Sequence, residues 1–334
     1  MAERILILSD LHLGRPGPER GPASLAPLWS DVDRVVLNGD TAEVHHPDHW
    51  STAARSVLAL MDRCDADEVE LTVLSGNHDP YISDLRHLRL AGGSVLVTHG
   101  DAMHPAVAPW SPAAGRMRAA HREAVAAMPT EVRDRLTARL AASQHAAFAE
   151  WRDDAAIARE ARRSTIVQML LRPWSVFQVM HYWAIFPRRA AEFAAAHDPD
   201  AQWVVTGHTH WPGVWRTGDR TIINTGSFST PCRPRAVVVD GPALRFHELV
   251  FRAGTWRLGR IARSWDLPQP ADDATEAPPT ETPAGQPPAS TSTSTSTSTS
   301  ASDRAHHGTG APTAPEASGV TATPTSTPTS TPSS

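Results

Sequence analysis

The sequence predicts an α/β fold interrupted by a helical insertion and followed by a disordered tail. Three observations predict it. Short apolar runs recur along the chain, each ending in a small residue and then an oxygen- or nitrogen-bearing side chain. An Ala- and Arg-rich block with helical periodicity separates the fourth such run from the fifth. Beyond about Pro268 the composition changes to Pro, Thr, Ser and Ala.

Taken in order, Ile5 to Leu8 is the first run and leads into Ser9-Asp10-Leu11-His12-Leu13-Gly14. Such continuous runs suit strands buried on both faces. Arg15 to Pro27 is rich in Gly and Pro and reads as a loop. Val35 to Leu37 is the second strand, ending in Asn38-Gly39-Asp40. Trp50 to Arg63 carries Val57, Leu58 and Met61 at helical spacing and predicts a surface helix. Leu71 to Leu74 precedes Ser75-Gly76-Asn77-His78-Asp79, and Val95 to Val97 precedes Thr98-His99-Gly100-Asp101. The insertion spans about 105–197. Ser111-Pro112 and Pro129-Thr130 are read as helix starts within it. Trp203 to Thr206 resumes the strands and ends in Gly207-His208-Thr209-His210. Thr221 to Asn224, Ala236 to Val239 and Leu244 to Phe251 follow as antiparallel strands. The reading is thus of one domain over 1–265 and a disordered tail over 266–334, which cannot bury enough apolar surface to offset its ordering entropy.

Composition narrows the chemistry. The chain has 334 residues and a net charge of −5, so no strong field for polyanions or nucleic acid is implied. All 31 basic residues are arginine, which removes Schiff-base and lysine-general-base chemistry. Cys64 and Cys232 form no disulfide framework and fit a reducing compartment. The N-terminal apolar run is too short for a signal peptide, and no run reaches about 18 apolar residues, so a cytoplasmic protein without a transmembrane span is expected.

The strand ends together offer Asp10, His12, Asp40, Asn77, His78, His99, His208 and His210. Ligands collect beyond the carboxyl ends of strands in doubly wound sheets. Mixed nitrogen and oxygen donors without thiolate suit Mn, Fe, Zn or Co. Two such ions need a shared donor, which a carboxylate provides, and the pair can clamp a phosphoryl group.

The ordered blocks Asp10-x-His12, Gly39-Asp40, Gly76-Asn77-His78-Asp79, His99-Gly100-Asp101 and Gly207-His208-Thr209-His210 resemble the calcineurin-like metallophosphoesterase superfamily. The resemblance covers about residues 4–104 and 202–230. It implies a four-layer sandwich of two mixed sheets flanked by helices, and two divalent ions, manganese foremost. Asp10, His12, Asp40 and His210 would hold one ion, and Asp40, Asn77, His99 and His208 the other. The nucleophile would be hydroxide held by the metals. His78 would lie by the phosphate and protonate the leaving group, and Glu43 would orient His78. Ser9 to Gly14, the Thr98 to Asp101 block and the insertion resemble the branch containing UDP-2,3-diacylglucosamine hydrolase. That branch implies a lipid-linked or nucleotide pyrophosphate substrate. Here His78 stands where the branch usually has arginine, and its insertion lysines are absent. A nucleotide or cyclic nucleotide phosphodiesterase is the alternative, and a non-catalytic metal-binding interaction module the alternative of another class.

Other features have plainer readings. His45, His46 and His49 read as a solvated loop, Asp79 and Asp101 as loop supports, and Asn224 to Ser227 as a turn. The apolar stripe from Trp174 to Phe186 reads first as packing between inserted helices, then as a lid over an apolar substrate, then as peripheral membrane contact. Arg116, Arg118, Arg122, Arg159, Arg162 and Arg163 read as a solvated face.

Overall fold

A computed structural model describes residues 3–16, 20–151 and 173–268. The C-terminal tail, Ile166 to Arg172, Arg159, Arg162 and Arg163 lie outside the described residues, so the expectations placed on them stay open.

Strands β1 (Arg4–Leu8), β2 (Arg34–Asn38) and β3 (Glu70–Leu74) pair in parallel. Strands β9 (Arg235–Asp240), β10 (Ala243–Arg252) and β11 (Thr255–Asp266) add to β1 as antiparallel neighbours. The resulting sheet has the order β11-β10-β9-β1-β2-β3, with β11 at one edge. A second sheet has the order β4-β5-β6-β8-β7, from β4 (His87–Leu90), β5 (Val95–Thr98), β6 (Trp203–Thr206), β7 (Gly213–Thr217) and β8 (Arg220–Asn224). Within it β5, β6 and β8 run parallel.

Alternation along the strands sorts the apolar residues into layers. Ile5, Ile7 and Val36 of the first sheet meet Val95, Val97, Val205 and Ile223 of the second in a core between the sheets. Leu6, Leu8, Val35 and Leu37 point the other way, toward Trp29 and the helix over Trp50–Ala66. Leu96, Val204 and Ile222 face the inserted helices. The inner strands of each sheet are therefore covered on both faces, which is why they read as unbroken apolar runs. The expected four-layer sandwich of two mixed sheets flanked by helices is the fold observed.

The helices differ from expectation in detail. The loop predicted after Arg15 contains a short helix α1 (Pro22–Leu25), started by Pro22 in its first turn. Helix α2 (Trp50–Ala66) buries Ala53, Leu60 and Cys64, whereas Leu58 and Met61 are exposed. Val57 packs against the same core, so of the three residues singled out only Val57 lies on the inward face. Within the insertion, α3 (Ala114–Ala127) begins two residues after Pro112. Ser111 Oγ accepts the Ala113 N–H and so closes the turn before the helix. The segment after Pro129 is turn, and α4 (Leu136–Glu150) starts only at Leu136. Helix α5 (Pro173–His197) packs Tyr182, Phe186, Ala190 and Ala194 against the second sheet. Trp174, Phe177 and Met180 of the same helix are exposed. The predicted packing role thus holds for Phe186 and not for the exposed Trp174, Phe177 and Met180. Among the described residues no helix is long and apolar enough to cross a membrane. Cys64 and Cys232 are unpaired.

The last strand outruns the expected boundary at 265. Asp266 completes β11, and Leu267 is buried with its N–H donated to the Pro242 carbonyl.

Candidate metal centre

Every sequence-predicted site residue follows a parallel strand. Asp10 and His12 follow β1, Asp40 follows β2, Asn77 and His78 follow β3, His99 follows β5, and His208 and His210 follow β6. Both sheets thus deliver side chains to one place, as the carboxyl ends of parallel strands do. Asn38 ties the sheets together there: its side-chain amide donates to the carbonyls of Thr98 and Val205 across the interface.

The backbone that presents these groups is unusual. Asp10, His12, Asp40, His208 and His210 all have positive φ, between 48° and 66°. Non-glycine residues rarely adopt this region, and such strain persists where the surroundings over-determine it. Glycine is needed where loops nearly touch. Gly39 has φ 79°, and a Cβ there would lie 2.4 Å from the His99 ring. A Cβ on Gly207 would lie 2.0 Å from Asp10 Oδ2.

Asp10, His12, Asp40 and His210 each offer one donor atom, and these atoms all lie within 4.8 Å of one another. His210 Nε2 is 3.1 Å from Asp10 Oδ1 and 3.0 Å from His12 Nε2. Asp40 Oδ2 stands 3.9 Å from His12 Nε2 on one side and 3.3 Å from His99 Nε2 on the other. Beyond it, Asn77 Oδ1 is 3.3 Å from His99 Nε2 and 2.8 Å from His208 Nδ1. Two groups of donors therefore share Asp40.

The far side of three of these rings is engaged. His12 Nδ1 meets Glu43 Oε1 at 2.6 Å, His99 Nδ1 donates to the Asn38 carbonyl at 2.9 Å, and His208 Nε2 donates to the Val107 carbonyl at 3.2 Å. Such partners fix tautomer and ring orientation, leaving the inward nitrogen as the free donor. The backbone is braced in the same way. The Asp79 carboxylate accepts the N–H groups of Asp40, Thr41, Ala42 and Gly76. Asp101 accepts from Arg86 at 2.6 Å and from Ser143 of α4 at 2.9 Å. Both aspartates support loops, as expected. The Asn224 to Ser227 turn supports Asp10, whose carbonyl accepts from Ser227 Oγ and the Phe228 N–H.

Electrostatics follow from burial. Burial alone would raise the Asp40 carboxyl, but the neighbouring His99 and His78 imidazoles outweigh it and hold the group well below the usual carboxylate range. Burial would likewise raise Asp10, and the hydrogen bond from His210 keeps it low. Conversely, burial opposes the charge on His99, but Asp40 pushes its pKa up to about 10. His12 and His208, buried beside other cations, fall to about 4. Two buried anions flanked by imidazoles call for cations, and the donors are nitrogen and oxygen without thiolate. This set fits borderline divalent ions.

Glu43 sits beneath the centre and serves two rings at once. Its Oε1 meets His12, and its Oε2 lies 3.1 Å from His78 Nδ1. Burial would lower the His78 pKa, but Glu43 and Asp40 raise it to about 9. The His78 N–H also donates to Asp40 Oδ1 at 2.8 Å.

Several neighbours escaped the sequence reading. Arg15 lies with its Nε 2.6 Å from Glu43 Oε1; only its place next to the Asp10-x-His12 block could have signalled it. Arg86 donates to the carbonyls of Ser75 and Gly76 as well as to Asp101. Trp151 lies 5.9 Å from the His78 ring and 6.0 Å from that of His45. His45 thus packs against inserted aromatic residues, including Phe148, rather than standing in a solvated loop. His46 and His49 stack on each other.

A sandwich of two mixed sheets with this donor set at its strand ends defines the class of metallophosphoesterases. The family model for calcineurin-like phosphoesterases matches residues 3–212, well over half of the chain, and the protein belongs to that family. No curated protein matches the sequence. Among solved structures, the phosphoesterase Yfce from E. coli is 13% identical, with 79% of this chain and 100% of that one covered and a TM-score of 0.37. A dimetal phosphatase from Danio rerio is 12% identical, with coverage of 73% and 95% and a TM-score of 0.38. Vacuolar Protein Sorting 29 from Cryptosporidium parvum is 11% identical, with coverage of 79% and 100% and a TM-score of 0.34.

Proposed function

We propose that this chain hydrolyses a phosphoester or pyrophosphate bond with two divalent ions, manganese foremost. Asp10, His12, Asp40 and His210 would hold one, and Asp40, Asn77, His99 and His208 the other. The observation that carries the reading is the pair of donor groups meeting at Asp40 Oδ2, between His12 and His99. When bound, such ions neutralise phosphoryl charge and acidify water.

The chain's own residues do the rest. His78 holds a proton on its imidazole, kept there by Glu43 and Asp40, and gives it to the departing oxygen. Glu43 orients His78 and His12 through its two oxygens. The inserted helices stand over this side of the site: Trp151 borders His78, and Gln144 of α4 bonds the Pro80 carbonyl. They would set substrate choice, with a lipid-linked or nucleotide pyrophosphate as the preferred class. The exposed Trp174, Phe177 and Met180 are where an acyl chain or a membrane surface would touch. Two unpaired cysteines accord with a cytoplasmic setting.

Metal analysis together with turnover of an aryl phosphate and a bis-aryl phosphate, with and without manganese, tests the reading. Two ions per chain and turnover of either ester are expected. Metal binding without turnover would favour an interaction module, and preference for the bis-aryl ester would favour a phosphodiesterase. The His78→Ala protein should keep both ions and lose about 10²–10⁴-fold in turnover, most on poor leaving groups. Equal losses on good and poor leaving groups would remove the proton-donor role.

We further propose that residues up to Pro268 form the catalytic unit and that the tail is dispensable. A chain ending at Pro268 should match the full chain in kcat/KM on the aryl phosphate. A cut after Trp265 is a poorer design, because it removes the buried Leu267.

A further inference from the structure

We infer that Cys232 is the positioning residue for His210: its sulfur accepts the outer N–H of that ring and so fixes where the inward nitrogen points. The inference rests on the reading of His210 as a metal donor.

The other three rings set the pattern. Each turns one nitrogen toward the donor groups and has the opposite one engaged, by Glu43 for His12, by the Asn38 carbonyl for His99 and by the Val107 carbonyl for His208. A ring without an outer partner is free to turn, and its inward nitrogen bears a lone pair in only one neutral tautomer. His210 has the same need. Its Nε2 lies 3.1 Å from Asp10 Oδ1 and 3.0 Å from His12 Nε2, which leaves Nδ1 on the outer side. Burial alone would keep the ring neutral, and its side-chain hydrogen bonds with Asp10 and Cys232 oppose that. Asp10 is met by Nε2, so Cys232 is the partner left for Nδ1.

The loop that carries Cys232 is itself held. Ser227 Oγ and the Phe228 N–H donate to the Asp10 carbonyl, the Cys232 N–H donates to the Ser229 carbonyl at 2.8 Å, and the Arg235 N–H donates to the Thr225 carbonyl at 2.7 Å. Gly226 is where this loop closes on the one bearing His210. A Cβ there would lie 2.3 Å from the Arg233 carbonyl oxygen and 3.0 Å from Pro212 Cβ. Arg233 follows Cys232, and Pro212 lies two residues after His210, so the two loops are pinned at one glycine. The sulfur orients and does not ligate: Asp10, His12, Asp40 and His210 gather donor atoms within 4.8 Å of one another, and Cys232 adds none to that group. The thiol is unpaired and half-buried, and sulfur is a weak acceptor, which suits it to this place and no stronger one.

The test compares Cys232→Ala and Cys232→Ser with the unaltered full chain, each stripped of metal and titrated with manganese in a calorimeter. Removing the outer partner of a metal-binding histidine costs about 10–100-fold in affinity. We expect Cys232→Ala to lose that factor at one of two positions and to keep the other. Serine offers an oxygen in place of the sulfur and should recover part of the loss. The urea midpoints of the three metal-free proteins should coincide. Two further readouts use the unaltered chain. Cys64 is 1% exposed, so iodoacetamide should modify Cys232 alone, and the bulkier side chain should weaken the same position at least as much as alanine does. Loaded with cobalt, the chain should show no sulfur-to-cobalt charge-transfer band.

Unchanged affinity at both positions in Cys232→Ala and in the alkylated chain would overturn the inference. So would equal losses at both positions, since the change would then reach the loops as a whole, and so would a charge-transfer band, which would make the sulfur a ligand. An unaltered chain that binds no manganese would instead sink the metal reading, and this inference with it.

Discussion

Asp40→Ala protein should retain neither ion and turn over the aryl phosphate on the order of 10³-fold or more slowly. Changes to residues that merely orient a metal ligand cost about 10–100-fold, and Asp40 is the donor both groups share. The loss has a second source. Asp40 Oδ1 also accepts the backbone N–H of His78, so the residue proposed as proton donor loses an anchor with the carboxylate. Removing His210 alone should empty one position and spare the other, because His210 lies with Asp10 and His12 and has no contact with Asn77 among the described residues. Metal analysis of the two purified variants separates these cases. Two ions retained per chain of Asp40→Ala would end the shared-carboxylate account.

A different kind of loss is expected at Arg86. It is buried, and it joins Asp101 to the carbonyls of Ser75 and Gly76, just ahead of Asn77. Ser143 of the insertion meets the same carboxylate. Arg86→Met leaves Asp101 buried with the Ser143 hydroxyl as its remaining hydrogen-bond donor among the described residues. Breaking a buried ion pair from one side costs about 3–5 kcal/mol, and the urea midpoint should fall accordingly. The sign with pH follows from Asp101. Burial would raise its pKa, but Arg86 outweighs this and lowers it below 3.8. A depressed carboxyl stabilises fully above its unfolded value. The contribution of the pair should therefore be complete at neutral pH and fade only as pH falls below 3.8 through the folded value. Replacing Asp101 by asparagine in the same chain should recover part of the loss. A drop under about 1 kcal/mol for Arg86→Met at pH 7 would show that the pair carries little.

The strands and the cluster of nitrogen and oxygen side chains at their ends could be read from the sequence because both are local facts. A parallel strand covered on both faces is written as an unbroken apolar run, and the residue that follows it lies at the rim whatever the rest of the chain does. Asp10, Asp40, His99 and His208 were therefore legible. What supports them was not, since it depends on segments brought together from afar. Asn38 reaching Thr98 and Val205, or Arg86 reaching Asp101, leaves no mark in spacing. Strand β4 carries Arg89 between two leucines and shows only partial burial, so its apolar signal is weak. Helix starts in the insertion were misplaced because proline and serine mark turns as readily as helix ends. At Ser111 the side chain closes a turn before α3.

Strand β11 has a consequence for solubility. It is long and ends the six-stranded sheet, with α1 and the segment Ala26–Leu28 packed against part of it. Proteins commonly blunt such margins with charge and irregular pairing. Here Arg257, Arg260 and Arg263 project along the exposed margin, and the pairing with β10 slips near His247. In a protein without lysine, the positive charge on this strand is carried by guanidinium groups.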